Sequence, residues 1–206
     1  MNWNGIRAVA FDAFGTLVEI GDKRRPYKKL LDAANSGPSR SPLLEPIGLE
    51  EMASVCGSSL AAEELAELAN DLSCELASTH SYPEAASVLK RVKDLGLITV
   101  VASNLALPYA APIRSLLADL LDVCCFSFNM GVAKPDPTFY AMLCERLQLH
   151  PSQVLMVGDT WRCDYAGASA AGLRALHLDR RGNASEHQRE VSIKDLNGIF
   201  DTMSLA

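Results

Sequence analysis

Nothing in this chain of 206 residues approaches the run of about 18 apolar residues that a membrane-spanning helix needs. The opening stretch, Met1 to Arg7, is too polar for a secretory leader. The sequence therefore predicts a cytoplasmic protein with no membrane partner. Positive charge is in deficit as well. A formal net charge of -6 leaves no overall electrostatic footprint for a polyanion, so nucleic acid is not an expected partner. Closely paired cysteines are also missing: the six, at 56, 74, 124, 125, 144 and 163, lack zinc-site spacing. A chain this long needs no disulfide staples, and the six are expected to be free thiols, Cys124 and Cys125 serving as small apolar strand residues.

What is present is core material. Apolar residues make up 49% of the chain against 21% charged, enough for one domain or one domain carrying an insert. Five segments are continuously apolar or β-branched, as strands covered on both faces are: Ile6 to Phe11, Ile98 to Ala102, Val123 to Phe128, Val154 to Val157 and Arg174 to Leu178. Helical spacing separates them. Pro83 opens a helix that presents Ala86, Leu89 and Val92 and stops at Gly96; Asp136 caps another, with Phe139, Leu143 and Leu147 on one face. This alternation predicts an α/β fold built on a doubly wound, Rossmann-like parallel sheet.

Residues 21–81 break the alternation, since they contain no convincing strand. A turn-like basic segment, Gly21 to Pro26, leads to a loop at Ser36 to Pro42, and then to a helix with Leu65, Leu68, Leu72 and Leu76 inward and Glu63, Glu64, Glu67 and Asp71 outward. The expectation is an α/β core of residues 1–20 and 82–206 and a small all-helical domain of residues 21–81 inserted after the first strand. Charge divides inside the insert: residues 21–40 carry six basic and two acidic side chains, residues 41–81 eight acidic and no basic ones. Charge runs mostly solvate surfaces. The sharper reading is a basic lip, Lys23 to Lys29, that draws in a small anion.

Open parallel sheets bind ligands beyond the carboxyl ends of their strands. Four such positions are polar here: Asp12 to Leu17, Ser103-Asn104, Gly131 to Pro135 and Gly158 to Asp164. Any one of them has a bland reading, because an aspartate or serine after a strand often caps the next helix. In order, however, Asp-x-x-Gly-Thr-Leu, Ser-Asn, Lys-Pro-Asp-Pro and Gly-Asp-x-x-x-x-Asp resemble the four motifs of the haloacid dehalogenase superfamily, which contains many phosphatases. The resemblance covers nearly the whole chain, and the insert lies where that superfamily carries a helical cap.

The resemblance implies roles that suit the side chains chemically. Asp12 is the expected nucleophile, forming a covalent intermediate. Gly15 permits the tight turn after it, Thr16 offers a hydroxyl and an amide to the bound anion, and Ser103, with Asn104 beside it, binds the anion's oxygens. Lys134 neutralises charge around Asp12. Asp12, Asp159, Asp164 and the main-chain carbonyl of Phe14 form the expected Mg2+ site, since three carboxylates without a cation repel one another. Trp161 and Tyr165 read as packing or rim residues, His80 as a hinge residue and His177 as structural.

Phe14 departs from the phosphatase pattern, which has a second aspartate there as general acid and base. The chemistry then needs a leaving group that departs without a proton: a weakly basic one on phosphorus, or halide. The superfamily's dehalogenases place tyrosine at this position, so Phe14 resembles them, but they work without metal and replace the acidic fourth motif. No arginine is a clear counterpart of the one that grips their halide, Arg24, Arg25 and Arg40 being only nearby. The sequence thus predicts a hydrolase of a small anionic substrate, a magnesium-dependent phosphatase ahead of a metal-independent 2-haloacid dehalogenase or a weakly active phospho-ligand binding protein.

Overall fold

The apolar runs become strands because alternate residues on each have a different covered side to face. In the first strand, Val9 and Phe11 join Leu155 and Val157 in one buried cluster, while Ala8 and Ala10 join Val154 and Met156 in another. The computed structural model describes residues 4–34 and 40–202. Among these the strands are β1 (Ala8–Phe11), β2 (Val18–Ile20), β3 (Thr79–Ser81), β4 (Ile98–Ser103), β5 (Val123–Phe126), β6 (Val154–Gly158), β7 (Arg174–Leu178) and β8 (Ser192–Ile193). Six of them form a parallel sheet in the order β5-β4-β1-β6-β7-β8. From β1 the chain runs outward through β4 and β5, then returns to the other side of β1 for β6, so a crevice opens at the carboxyl ends of β1, β4 and β6. The fold is the doubly wound, Rossmann-like α/β fold.

The described helices include α1 (Pro26–Asp32), α2 (Leu49–Val55), α3 (Ala62–Ala77), α4 (Ala85–Asp94), α5 (Ala110–Leu117), α6 (Ser127–Met130) and α7 (Pro137–Leu147). None is long and apolar enough to cross a membrane. In α7 the Asp136 side chain accepts from the Thr138 amide at 2.8 Å, and Phe139, Leu143 and Leu147 are buried. Helix α4 buries Ala85, Val88, Leu89 and Val92; Ala86 faces solvent, one position off the expected stripe.

Three strands, β2, β3 and β8, escaped the sequence pattern. Strand β8 is two residues long, and Thr79-His80-Ser81 has no apolar run, yet β3 pairs antiparallel with β2, Val18 opposite Ser81 and Ile20 opposite Thr79. This hairpin joins the two ends of the helical insert. Within the insert, Leu30, Ile47, Leu49, Met52, Cys56, Leu68 and Leu72 pack into a cluster of their own. The loop expected at 36–42 falls mostly outside the described residues. All six cysteines are free.

A polar staple fixes the entry to β4. Asp122 accepts from the Thr99 amide at 2.9 Å and its hydroxyl at 2.8 Å, and pairs with Lys93. Burial works to raise the Asp122 carboxyl, but Lys93 and the Thr99 donors outweigh it and hold the group below the usual carboxylate range. Stability from a depressed carboxylate is present above its unfolded pKa and lost as pH falls through the folded one. Asp122→Asn is therefore expected to lower Tm at pH 7 by about 2–4 °C, the shift that ~1 kcal/mol produces in a chain of this size. The gap to the parent chain should close below about pH 4. Thermal melts across that range check it; a gap that widens in acid would contradict the ion-pair account.

Candidate active site

Asp12 follows β1, Ser103 ends β4, and Asp159 follows β6, so adjacent parallel strands deliver three of the expected residues to one crevice. Lys134 completes it from the loop before α7. This lysine is only 4% exposed. Its ammonium donates to Asp12 Oδ1 at 2.9 Å, Asp164 Oδ1 at 2.6 Å and the Ala102 carbonyl at 2.7 Å, so all three protons are used. Burial alone would lower its pKa, but Asp12 and Asp164 together hold the ammonium above the ordinary lysine range. A fully charged lysine thus sits between two buried carboxylates.

Asp164 is fully buried, and its other oxygen accepts from the Thr160 amide at 2.9 Å. Burial pushes its carboxyl up, Lys134 pulls it back, and Asp12 adds to the rise. Asp159 stands at the rim. Its carboxyl is pushed up to about 6, first by desolvation and then by the charge of Asp12. Single oxygens of Asp12, Asp159 and Asp164 lie within 4.8 Å of one another. Three carboxylates facing one ammonium leave excess negative charge in a space fit for a hard divalent cation.

Two glycines make that approach possible. Gly15 has φ +88, and a Cβ there would meet Asp159 Oδ2 at 2.3 Å; a Cβ on Gly158 would meet the Asp164 carboxyl at 2.3 Å. The motif glycines are the space into which the motif aspartates fit.

The remaining expected residues are placed less uniformly. Ser103, 2% exposed, lines a cavity of about 170 Å3 with Asp12, Phe14, Lys134, Thr160 and Cys163. Asn104 lines it too, but its side chain donates to the Lys134 carbonyl at 2.7 Å and accepts from the Lys134 amide at 2.8 Å. Its observed work is to hold the lysine loop, where substrate contact was expected. Thr16 is fully buried and outside the cavity lining; its amide donates to the Ala13 carbonyl at 3.3 Å, and its hydroxyl finds no partner among the described residues. Phe14 walls the small cavity from a larger one of about 500 Å3 and packs edge-on against Tyr109, ring centroids 5.7 Å apart.

The basic lip is largely spent inside the insert. Arg24 and Lys29 both pair with Asp71, Lys28 with Asp32, and Arg40 with Glu45 and Glu51. Buried Glu75 accepts from the Arg24 and Arg25 amides and from the Tyr109 hydroxyl at 2.6 Å. Opposite charge runs in one chain found each other, which a linear tally of charge does not register. Trp161 stacks on Tyr165 at 4.3 Å, His177 bonds Ser192, and His80 pairs with Glu19 across the hairpin.

The family model for haloacid dehalogenase-like hydrolases matches residues 6–172. The chain belongs to that family. The hydrolase is 27% identical to (S)-2-haloacid dehalogenase 1 of Pseudomonas sp. (strain CBS-3), over 97% of this chain and 96% of that one. It is 36% identical to a phosphatase of Mycobacterium tuberculosis (strain CDC 1551 / Oshkosh), over 69% of this chain and 66% of that one. The match to (S)-2-haloacid dehalogenase 4A of Burkholderia cepacia, 30% identical, covers 61% of this chain but only 54% of that protein. In fold, a dehalogenase structure superposes with a TM-score of 0.71 at 21% identity over 98% of both chains, and a HAD phosphatase from Thermococcus onnurineus with 0.67 at 21% identity over 94% and 96%.

Sequence reasoning passed over Arg180. Its guanidinium donates through Nε to the Gly15 carbonyl at 3.2 Å and through Nη2 to the Thr16 carbonyl at 2.8 Å. Glu84 pairs with it at 2.7 Å, and the guanidinium carbon lies 3.6 Å over the Tyr82 ring. Arg180 lies just past β7, where the rule that singled out the other strand ends also applies. In Arg180→Lys the charge survives but the two-pronged grip on the turn after Asp12 does not. The expected result is a kcat about tenfold lower with KM nearly unchanged, read from steady-state kinetics; an unchanged kcat would remove Arg180 from this role.

Proposed function

We propose that the hydrolase is a magnesium-dependent phosphatase of a small phosphorylated metabolite with a weakly basic leaving group, using Asp12 as nucleophile. The observation that carries this reading is the three-carboxylate cluster of Asp12, Asp159 and Asp164, with oxygens within 4.8 Å. Such a cluster repels the carboxylate of a haloacid but accepts a phosphoryl group once a cation is shared between them. These three side chains, with the Phe14 main-chain carbonyl, would hold Mg2+, which supplies charge neutralisation for the phosphoryl oxygens. The relatives named as phosphatases support the same reading.

Lys134 engages Asp12 Oδ1, leaving Oδ2 to attack phosphorus. The new P–O bond to Asp12 forms as the bond to the leaving group breaks, and Lys134 and Ser103 stabilise charge on the phosphoryl oxygens. Phe14 gives no proton, so the leaving oxygen departs as the anion. Water then attacks the aspartyl phosphate at phosphorus, releasing inorganic phosphate and restoring Asp12. The helical insert, residues 21–81, acts as a cap over the core of 1–20 and 82–206. Tyr109 links the two, its ring against Phe14 and its hydroxyl on Glu75 of α3. Closure over bound substrate sequesters the reaction from bulk water.

A second reading, 2-haloacid dehalogenase, is favoured by the aromatic Phe14 and by the dehalogenase relatives. Among the described residues no arginine lines the small cavity, however, and Arg24 and Arg40 are held by acids of the insert. The deciding experiment measures phosphate release from an aryl phosphate with magnesium or with chelator, and halide release from a 2-haloacid, with Asp12→Asn as the blank. Magnesium-dependent phosphate release is expected; chelator-resistant halide release without phosphatase activity would overturn the proposal. Phe14→Asp should raise kcat on alkyl phosphates by about 10–100-fold and on aryl phosphates far less, because only the alkoxide needs the proton. Equal gains on both would remove the leaving-group argument.

A further inference from the structure

The larger cavity, about 500 Å3, has the size of a small-molecule site and shares Phe14 with the small cavity that holds Asp12. Asp159 forms part of its wall, so it meets the nucleophile's surroundings at the rim of the carboxylate cluster. Strand β2 and the segment after β7 supply much of the rest. Its charged groups divide into two sets. Glu19 is engaged by His80 and by the Tyr82 hydroxyl, Asp179 accepts from the Asn183 and Ala184 amides, and Arg180 is committed to the nucleophile turn and Glu84. Asp159 belongs to the carboxylate cluster; of the cations, Lys23 and Arg181 remain. Both are exposed, both line the cavity, and neither has an ion pair or hydrogen bond among the described residues. Lys23 differs in this from Arg24, Lys28 and Lys29 beside it, all of which are paired.

We infer that this cavity is a second anion subsite, in which Lys23 and Arg181 receive a carboxylate or phosphate carried on the leaving group of the substrate. The inference rests on the phosphatase reading and narrows it: the substrate is a phosphoric ester with a second anionic group remote from the scissile bond. Two cations without partners beside an apolar wall of Trp161 and Ile20 attract such a group and leave an uncharged leaving group without an ionic anchor. Lys23 belongs to the insert and Arg181 to the core, so the remote anion also bridges the two parts and favours closure over the site.

The test uses the full chain with magnesium and two esters of equal length, one ending in a carboxylate and one in an uncharged methyl group. In Lys23→Ala and Arg181→Ala, KM for the carboxylate ester is expected to rise about tenfold more than KM for the methyl ester, with kcat for each changing less than its KM. Equal rises, or none, would overturn the inference. Binding of the carboxylate ester to Asp12→Asn, measured calorimetrically, separates the two proposals. Affinity that falls when Lys23 or Arg181 is replaced supports the subsite even if the parent chain releases no phosphate, an outcome that sinks only the phosphatase reading. A third arm titrates a dicarboxylate lacking phosphate. Binding as tight as that of the ester, lost in both variants, would make the site one for a separate anion and overturn its assignment to the substrate.

Discussion

Asp12→Asn is expected to abolish turnover while leaving the fold intact or more stable. The amide keeps the shape of the side chain and can still accept from Lys134, whose contact with Oδ1 is 2.9 Å. It cannot form the covalent intermediate, and loss of a nucleophile lowers kcat by about 10⁴-fold or more. Stability moves the other way because the cluster is over-supplied with negative charge. Asp159 and Asp164 both have raised pKa values, and Asp12 contributes to each rise after burial. A carboxyl whose folded pKa is raised costs stability once it ionises, so easing the repulsion helps the folded state at pH 7. Melting curves without magnesium should give a Tm equal to or above that of the parent chain, and the gain from added magnesium should shrink. A large fall in Tm would mean that the ion pair of Asp12 with Lys134 outweighs its repulsion of Asp159 and Asp164.

Lys134→Met is expected to damage both properties. Its ammonium is the only cationic partner of Asp12 and Asp164 among the described residues, and its side chain is 1% exposed. Methionine refills most of the volume, so the loss comes from stranded charge. Removing one partner of a buried ion pair costs about 3–5 kcal/mol, which lowers Tm by about 6–20 °C in a chain of this length. Turnover should fall about 10²–10³-fold, the usual cost of removing a preorganised charge placed beside developing charge. Adding Asp164→Asn to Lys134→Met should recover part of the Tm but none of the rate, since it removes a stranded carboxylate without restoring the cation. Melts and kinetics on the single and double variants check this; additive Tm losses would show that the two side chains are not coupled as their 2.6 Å contact requires.

Each feature that can be read along the chain depends on local order. Strand runs such as Val154 to Val157 are legible because both faces of a parallel sheet are covered, so every residue must be apolar. The polar residue ending each run is legible because it breaks the apolar pattern at the carboxyl edge of the sheet. Asp12, Ser103 and Asp159 fall in that position. Strand β3 was not legible, since Thr79-His80-Ser81 becomes a strand only through pairing with β2, and Ile20 and Thr79 are 59 positions apart in the chain.

The residues of the proposed chemistry were thus legible in the sequence: the carboxylate proposed as nucleophile, a lysine, two further aspartates and an aromatic residue where the phosphatases it resembles have a proton donor. Which charges remain available was decided by the fold. Lys23 and Lys29 carry the same charge on the same short segment, yet Lys29 is neutralised by Asp71 while Lys23 faces the cavity. Asn104 and Ser103 are neighbours, yet Asn104 is bound to the Lys134 backbone. Arg180 reaches the turn after Asp12 from 165 positions along the chain. Residue type sets what a side chain can do; the partners that consume or spare that capacity come from distant segments and exist only once the sheet and its insert are assembled.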